Sequence, residues 1–264
     1  MKYFIKTSAF IFIFFYLPFA GNAWGVLGHR IVGQVAESYL TPTAKKEIKK
    51  ILGTESLAMA ANWADFIKSD STMSYLSKWH YVDVDGGKSY TEFMNYLKSD
   101  TNIDAYTKLN FLIKELKKKN LEKFKKQMYL RLLIHIVGDI HQPLHVGNPG
   151  DEGGNKIKVS WFGSPTNLHS VWDARLIDFQ QLSYTEYATA INYPTLSQLV
   201  TRQKQPLSEW IYQTYLIAQK VYSDIKPDDK LSYVYNYNYI DILNQQLVKG
   251  GVHLAALLNQ IFGH

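Results

Sequence analysis

The sequence predicts a mainly α, single-domain protein with one small β-hairpin. Through most of the 264-residue chain, apolar residues recur every three or four positions, which is the spacing of one helix face. Only residues 155–163 alternate apolar and polar side chains as a half-buried strand does. No Pro-, Ser- or Gly-rich linker divides the chain and no unit of about 20–50 residues repeats, so we expect one core and no solenoid.

The predicted helices of the first half follow one another with short gaps. Residues 28–40 place apolar side chains on one stripe, and Thr41-Pro42 is a typical start for a second helix that ends near Gly53. The segment 75–90, with its Asp and Gly residues, is predicted to be irregular. Further helices are expected at 55–68, 102–118 and 124–140.

The second half combines the hairpin with longer helices. Pro143 should end or bend the helix before it, because proline lacks the N–H that a helix interior needs. The run YVYNYNY, with tyrosine at every second position of 233–239, is interpreted as core packing in an unassigned element. The Lys-rich run 114–126 is interpreted as a solvated helical face, with a nucleic-acid surface as the alternative. Helices are expected at 166–180, 206–224 and 244–262.

The first 23 residues differ from the rest. A short basic start (MKYFIK) precedes an apolar block (AFIFIFFYLPFA), and small residues stand at the last and third-last positions before Trp24. This pattern predicts a secretory signal peptide over 1–23, cleaved after Ala23, with residues 24–264 forming the mature domain. The alternative is an N-terminal anchor, although the block is shorter than the ~20 residues that span a bilayer. We therefore expect an exported protein, periplasmic or secreted, with no membrane insertion after cleavage.

Charge and cysteine content set further limits. The net charge is +6, and removal of Lys2 and Lys6 with the signal leaves +4. A moderately basic protein is compatible with a polyanionic substrate but does not require one. There are no cysteines, so disulfides are excluded, and a core, bound metals or both must stabilise the exported chain.

Several polar side chains stand in apolar, helix-like surroundings. His135 and Asp139 are four residues apart and share a helix face, and His169 and Asp173 repeat this spacing. Each has an ordinary explanation, since a backbone carbonyl can satisfy a buried histidine and a His–Asp pair can be a surface ion pair. Together they resemble a zinc ligand set without thiolates, and their number predicts more than one ion. The other members of the set are His29, Asp65, His80 and His145.

Cleavage after Ala23 would add one more ligand. It makes Trp24 the N-terminal residue, and a free α-amine has a pKa near ~8. Such an amine loses its proton at modest cost and can chelate a metal together with the carbonyl oxygen of the same residue. The sequence WGVLGH would bring His29 close to it.

These residues lie in motifs that resemble the zinc-dependent S1/P1-type nucleases of fungi, plants and bacteria. The likeness covers nearly all of 24–264 and is to a bacterial-type member. The chain departs from the eukaryotic members of the family, which are braced by disulfides, because it has no cysteines. It implies a helical fold of the phospholipase C/P1 nuclease type and a tri-zinc nuclease catalytic domain. The motifs are Trp24-Gly25 with His29, WAD at 63–65, WHYVD at 79–83, HIVGDIHQPLH at 135–145, GGN at 153–155 and NLHSVWD at 167–173.

The resemblance implies three Zn²⁺ ions per chain, held by nine residues. His141 is not a ligand in this scheme and is expected either to support the ligands or to be structural. The first ion would be held by Asp65, His80, His135 and Asp139, the second by His145, His169 and Asp173, and the third by Trp24, His29 and Asp139.

The resemblance also implies the reaction and the residues around the metals. A metal-activated hydroxide would hydrolyse phosphodiester bonds of single-stranded DNA and RNA to 5′-phosphorylated nucleotides, with a 3′-nucleotidase activity. Lys68 would lie near the scissile phosphate, and Asp83 would pair with that cation and contact the base. Tyr81 would stack on a nucleobase, and Asn155 would line the same pocket. Nucleic acids and nucleotides are then the substrates, and no obligate protein partner is inferred.

Two other functions fit a similar ligand set. A zinc-dependent phospholipase C has the same type of tri-zinc helical fold and also hydrolyses a phosphodiester, so the metals alone do not separate it from a nuclease. A non-catalytic zinc-binding protein would keep the ligands without needing Lys68 and Asp83, which could then form an ordinary surface charge pair.

Overall fold

A computed structural model describes residues 24–263, so the predicted signal peptide and His264 lie outside the described residues. The described part confirms the mainly α prediction. Its α-helices are α1 (Val26–Glu37), α2 (Pro42–Leu52), α3 (Leu57–Ala60), α4 (Trp63–Phe66), α5 (Tyr90–Ser99), α6 (Ala105–Leu116), α7 (Lys123–Asp139), α8 (Leu168–Ser170), α9 (Leu176–Asp178), α10 (Tyr184–Ile191), α11 (Leu196–Lys204), α12 (Leu207–Ser223) and α13 (Tyr233–Phe262).

Helix α7 runs through the centre of the molecule. From Leu132 to Asp139 every residue is buried, because α1, α2, α3, α4, α6 and α13 all pack against this helix. Gly251 of α13 lets that helix approach α1 closely, since a Cβ at this position would overlap the side chain of Val35. The polar residues His135 and Asp139, in the last two turns of α7, are therefore held inside the core.

A three-stranded sheet lies beside the helices. Strand β1 (Lys158–Trp161) pairs antiparallel with β2 (Ser164–Asn167), which confirms the predicted hairpin. The connecting residues Phe162 and Gly163 both have positive φ angles, 48° and 80°, as a tight two-residue hairpin turn requires. The short strand β3 (Lys230–Leu231) adds to β1 in parallel and was not predicted.

Two predicted helices are broken where the chain forms the polar centre, and the helix predicted at 124–140 ends there within one residue of its expected end. The expected helix 55–68 is divided into α3 and α4 and continues as a 3-10 turn over Ile67–Ser69. Helix α7 ends at Asp139, before Pro143 is reached, and Pro143 begins a 3-10 helix instead. The expected helix 166–180 contains a π-helical segment over Val171–Arg175 between α8 and α9.

Other differences concern elements that were missed. The first part of the segment predicted as irregular belongs to a 3-10 helix over Ser71–His80, whereas residues 81–89 contain no helix or strand, as predicted. Helices α5, α10 and α11 were not predicted, although each begins with a capping box, as at Ser89 and Glu92.

The tyrosine run 233–239 belongs to the long helix α13. Tyr235 and Tyr239 are buried one turn apart, whereas Tyr233 and Tyr237 are exposed on the other face. The prediction of core packing is therefore correct for two of the four rings and wrong for the others. Across residues 24–263, none of the helices has the length and apolar character that crossing a membrane requires.

Candidate metal centre

The end of α7 brings together side chains from four distant parts of the chain. His135 Nε2 lies 3.1 Å from Asp139 Oδ2 and 2.9 Å from His80 Nδ1. His80 Nδ1 is itself 3.0 Å from Asp139 Oδ2, so three ligand-type atoms meet at one point. Each of these residues is buried, with at most 3% of its surface exposed. These three form the first group of potential metal ligands.

A second group contains His29, Asp65 and His135. The ring of His29 stacks on that of His135, with centroids 3.9 Å apart, and its Nε2 lies 3.3 Å from Asp139 Oδ1. Asp65 Oδ1 is 3.8 Å from His135 Nε2. Gly138 makes this stacking possible, because a Cβ there would lie 2.8 Å from His29 Nδ1. Asp139 thus faces the first group through Oδ2 and the second group through Oδ1.

The third group is formed by His145, His169 and Asp173. His169 Nε2 lies 3.0 Å from Asp173 Oδ2, and His145 Nε2 lies 3.8 Å from Asp173 Oδ1. The π-helical turn carries Asp173 and the 3-10 helix carries His145, so the two breaks in regular helix both serve this group. It adjoins the first group, since His145 Nδ1 is 3.8 Å from Asp139 Oδ1.

The ring orientations indicate that these groups fit metal ions. In His135, His145 and His169, Nδ1 faces a backbone carbonyl at 2.6–2.7 Å. A carbonyl only accepts, so Nδ1 carries the proton, and Nε2 of the neutral ring is an unprotonated acceptor. These Nε2 atoms face carboxylate oxygens or have no partner, except that His135 Nε2 also faces Nδ1 of His80. Acceptors that face acceptors in a buried site need a proton or a metal ion between them, and histidines whose other nitrogen donates to a backbone carbonyl are typical of metal sites.

The electrostatics agree with this arrangement. Burial lowers the pKa of His29, His80 and His145, which favours the neutral ring that a metal needs. The pKa values of His135 and His169 are raised instead, because the charges of Asp139 and Asp173 outweigh burial, so a metal ion would have to displace a proton there. Burial alone would raise the pKa of the Asp139 carboxyl, but His135 and hydrogen bonds from the surrounding histidines hold it well below its usual range. Asp139 is therefore an anion at neutral pH.

Two supporting features were missed by the sequence analysis. Gln142 is fully buried; its Nε2 donates to Asp173 Oδ1 over 2.5 Å, and its Oε1 accepts from Leu144 N. Gly153 has a φ of 61° and supplies the carbonyl that orients His169. A buried glutamine between two histidines was the available signal for the first, and the GG pair was the signal for the second.

Trp24 lies in the same part of the molecule. Its side chain is fully buried, and a Cβ on Gly138 would lie 3.8 Å from its Cδ1 atom. The next residue, Gly25, donates its backbone N–H to the carbonyl oxygen of Asp173 over 2.6 Å. The beginning of the described chain is thereby attached to the segment that carries the third group.

The residues expected around the metals are only partly where the sequence placed them. Lys68 Nζ lies 2.6 Å from Asp65 Oδ1, so it pairs with a ligand-group carboxylate one turn away and not with Asp83 as predicted. Burial and the nearby Asp151 raise the pKa of Asp83, with Lys78 opposing them.

Tyr81 and Asp83 do share a pocket. It has a volume of about 300 Å³, and Tyr81 is 37% exposed at its wall. Asn155 is not among its lining residues, which contradicts the prediction; its side-chain amide donates to the carbonyl oxygen of Glu152. The tight turn 152–155 that positions Gly153 keeps Asn155 beside its own loop. The pocket is lined by Lys78, Tyr81, Asp83, Tyr96, Asn102, Ile103 and Asp104.

His141 stands apart from the three groups. Its Nδ1 donates to the carbonyl oxygen of Val137 and its Nε2 lies 2.7 Å from His253 Nδ1. Burial lowers the pKa of His141 to about 4, so the ring is neutral. Its place between α7 and α13 agrees with the expected structural role.

A helical domain with three adjoining, largely buried His/Asp groups is typical of a metal-dependent enzyme, and each of these groups could hold a metal ion. The comparison with protein families assigns it more closely, because the S1/P1 Nuclease model matches residues 24–263. The chain therefore belongs to the S1/P1 nuclease family and is a phosphodiester-hydrolysing nuclease.

Characterised relatives agree with this assignment. The chain is 30% identical to Endonuclease 4 of Arabidopsis thaliana over 267 residues, covering 90% of this chain and 89% of the relative. It is 29% identical to Nuclease P1 of Penicillium citrinum, covering 91% and 98%. Among solved structures, alpha-toxin of Clostridium perfringens matches with a TM-score of 0.45 and 15% identity, covering 92% of this chain and 66% of the toxin.

Proposed function

We propose that this chain is a zinc-dependent endonuclease and 3′-nucleotidase that hydrolyses single-stranded DNA and RNA to 5′-phosphorylated nucleotides. The observation that carries the proposal is the meeting of buried imidazole nitrogens and carboxylate oxygens at Asp139 and Asp173. A closely spaced donor set of nitrogen and oxygen without sulfur, in which several buried atoms lack a hydrogen-bond partner, suits several zinc ions better than one.

The proposed centre contains three zinc ions. Asp139 would contribute to two of them, because each of its oxygens faces a different set of histidines. The free amine and carbonyl of Trp24 would complete the ion nearest His29. The first ion would be held by Asp65, His80, His135 and Asp139, the second by His145, His169 and Asp173, and the third by Trp24, His29 and Asp139.

Zinc ions in such a centre lower the pKa of water towards neutrality and offset negative charge on phosphoryl and leaving oxygens. The protein orients the ligands with backbone carbonyls and keeps bulk water from all but the open side of the centre. Lys68, whose side chain is one-third exposed, is held at that side by Asp65 and would offset phosphoryl charge as it develops.

Selection of single strands would come from the pocket beside the centre. The exposed ring of Tyr81 can stack on a nucleobase only when the base is unpaired. Stacking tolerates every base, which suits an enzyme with low sequence preference. Asp83 would contact the base edge.

The proposal includes export. A free Trp24 amine exists only after removal of residues 1–23, so the predicted signal cleavage after Ala23 also completes the third zinc site. The periplasm or the medium is then the place of action, and the mature catalytic domain is 24–264.

The two alternative functions make different products. Membership of the nuclease family favours nucleic acid over lipid as the substrate. A phospholipase C would release phosphocholine from lecithin, and a non-catalytic zinc protein would release nothing from either.

One experiment tests the proposal directly. Mature protein beginning at Trp24 is analysed for zinc and then incubated with matched single-stranded and double-stranded oligonucleotides and with lecithin. We expect three zinc ions per chain and faster release of 5′-phosphorylated products from the single strand. Release of phosphocholine, or equal cleavage of both nucleic acids, would contradict the proposal.

A further inference from the structure

The positive charge of the mature protein is concentrated on one surface. Two segments, 45–50 and 114–126, together contain eleven lysines and three glutamates, a net charge of +8. Because 24–264 as a whole carries +4, the remainder of the mature chain is net negative, at −4. We call the lysines of these two segments the lysine surface.

The two segments adjoin in the folded protein. The pKa of Glu47 is lowered first by its hydrogen bond from Lys50 and then by the charges of Lys50, Lys46 and Lys126. Lys126 of the second segment therefore lies near Glu47 of the first. The side chain of Gln127 on α7 donates to the carbonyl oxygen of Ile51 at the end of α2. The lysine surface therefore extends over α2, the end of α6 and the start of α7.

Most of these lysines have no acidic partner. Lys50 pairs with Glu47 and Lys118 pairs with Glu115, each at 2.5–2.6 Å. Among the described residues, no carboxylate lies within ion-pair distance of the other nine. A solvated helical face usually intersperses both signs, so unpaired charge of this density favours a polyanionic partner.

A row of aromatic rings leads from the lysine surface towards the metal centre. Tyr129 contacts Phe111 at a centroid distance of 5.6 Å, and Phe111 contacts Trp79 at 6.3 Å. Trp79 contacts Tyr75 at 6.0 Å and directly precedes the ligand His80. The row begins beside the lysines, because the charge of Lys118 is close enough to act on the hydroxyl of Tyr129. Burial and Glu115 raise the pKa of that hydroxyl, and Lys118 opposes the rise.

Two rings of the row are open to solvent. Tyr75 is 53% exposed and Phe111 is 37% exposed. Lys108 lies over the neighbouring rings, 5.0 Å from the centroid of Trp79 and 5.7 Å from that of Phe111. Exposed rings interleaved with cations are the combination that binds single-stranded nucleic acid without sequence preference.

We infer that the lysine surface and the exposed rings of Tyr75 and Phe111 form a track for a single strand whose scissile phosphate lies at the metal centre. The inference rests on the proposed function, because the partner is a longer piece of the proposed substrate. Lys123 lies ~24 Å from Asp139 along α7, at ~1.5 Å per residue. That distance corresponds to ~7 nucleotides at the ~3.4 Å spacing of one strand, so short substrates do not reach the lysines.

The test compares substrates of two lengths. K114Q, K117Q, K119Q and K123Q are combined in one variant, and the matched control combines K98Q, K204Q, K226Q and K230Q, which are exposed lysines outside the surface. For each protein, kcat/KM is measured on a dinucleotide and on a homopolymeric single strand of about 30 nucleotides.

We expect the first variant to lose about tenfold in kcat/KM on the long strand at low salt, with no loss on the dinucleotide. Its dependence on salt should also become shallower, by ~0.7 in the log–log slope for each phosphate contact removed. The control variant should behave as the parent. An equal loss in both variants, or none in the first, would overturn the track.

Two further measurements separate the possible failures. If the parent does not cleave the dinucleotide, the proposed function fails; if it does and the length effect is absent, only the track fails. Vesicles of anionic phospholipid test the other polyanionic surface of a cell envelope. Binding to them that the first variant alone loses, with an unchanged length effect, would assign the lysines to a membrane and overturn the track.

The rings are tested separately from the charges. Y75L and F111L keep an apolar side chain at each position and remove the stacking surface. We expect a higher KM for the long strand with an unchanged salt slope, because no charge is removed. An unchanged KM would remove the rings from the track.

Discussion

His145 donates its Nδ1–H to the backbone carbonyl oxygen of His80 over 2.7 Å. A residue of the third ligand group is thus oriented by the main chain of a residue in the first. His80 in turn faces Asp139, which lies between the first two groups. The three groups are therefore one structural unit, and a change in one group should be felt in the others.

Metal removal should lower stability as well as stop catalysis. Without cations, several buried atoms of the centre have no partner, among them both ring nitrogens of His29, Nε2 of His145 and Oδ1 of Asp139, and the chain has no disulfides to compensate. We expect an excess of chelator to lower the Tm by ~10 °C or more, since ~1 kcal/mol corresponds to ~2–4 °C in a domain of this size. Zinc-saturated chelator is the control, and an unchanged Tm would contradict the expectation.

Replacing Lys68 with alanine should affect turnover and not metal content. The loss of one electrostatic group at a transition state costs ~10²–10³ in kcat. We expect this decrease on a dinucleotide while zinc remains at the parental content. K220A removes an exposed lysine that is also paired within its own helix, with Asp224, and should leave kcat unchanged. Parental turnover in K68A would remove Lys68 from the mechanism.

An extra residue before Trp24 should weaken one metal site. Protein produced with an initiator methionine lacks the free Trp24 amine and should bind one zinc ion fewer than correctly processed protein. Metal analysis of both forms, with activity on the same substrate, makes the comparison. Equal zinc content in the two forms would show that the amine is not a ligand.

Gly153 can be tested through its conformation. A Cβ there would overlap the carbonyl oxygen of Leu144, and the φ of 61° strains any other residue. We expect G153A to misplace the carbonyl that orients His169 and to lose zinc from the third group. G87A carries the same kind of backbone strain, at φ 79°, with open space around the Cβ, and should keep the parental zinc content.

Asp104 should give stability a pH dependence. Burial and a shared hydrogen bond with Asp100 raise the pKa of Asp104 to about 7, from 3.8 when unfolded. Between these values the unfolded chain has released a proton that the folded chain still holds, so this group makes the protein less stable as the pH rises from ~4 to ~7. Above ~7 its contribution is constant.

The variant D100N tests this assignment. It keeps an oxygen for the backbone N–H of Asn102 and removes the like charge beside Asp104. We expect a smaller loss of stability between pH 5 and pH 7.5 than in the parent, measured by denaturant unfolding. An identical slope in parent and variant would show that the two carboxyl groups are not coupled.

From the sequence it was possible to single out side chains that meet in the fold, but not the shape of the helices that carry them. His135 and Asp139 were recognisable because imidazoles and carboxylates are costly in an apolar helix unless something binds them. The π-helical turn at Asp173 and the break between α3 and α4 were not predictable, since both arise where packing around the polar centre overrides helix periodicity.

The surroundings of the metals were predicted less well for a different reason. Motif position indicates that Lys68 and Asp83 lie near the centre, but it does not determine which carboxylate the lysine meets. In the fold, Lys68 pairs with Asp65, which is only three residues away in the sequence. The lysine surface was visible as a charge run, but only the fold brings 45–50 and 114–126 together and connects them to Trp79.

The most direct test of the account is a crystal structure of mature protein with anomalous data collected on both sides of the zinc edge. We expect three anomalous peaks, one between His80, His135 and Asp139, one beside His29 and the amine of Trp24, and one between His145, His169 and Asp173. Fewer peaks at these residues, or peaks scattered elsewhere on the surface, would contradict the trinuclear centre.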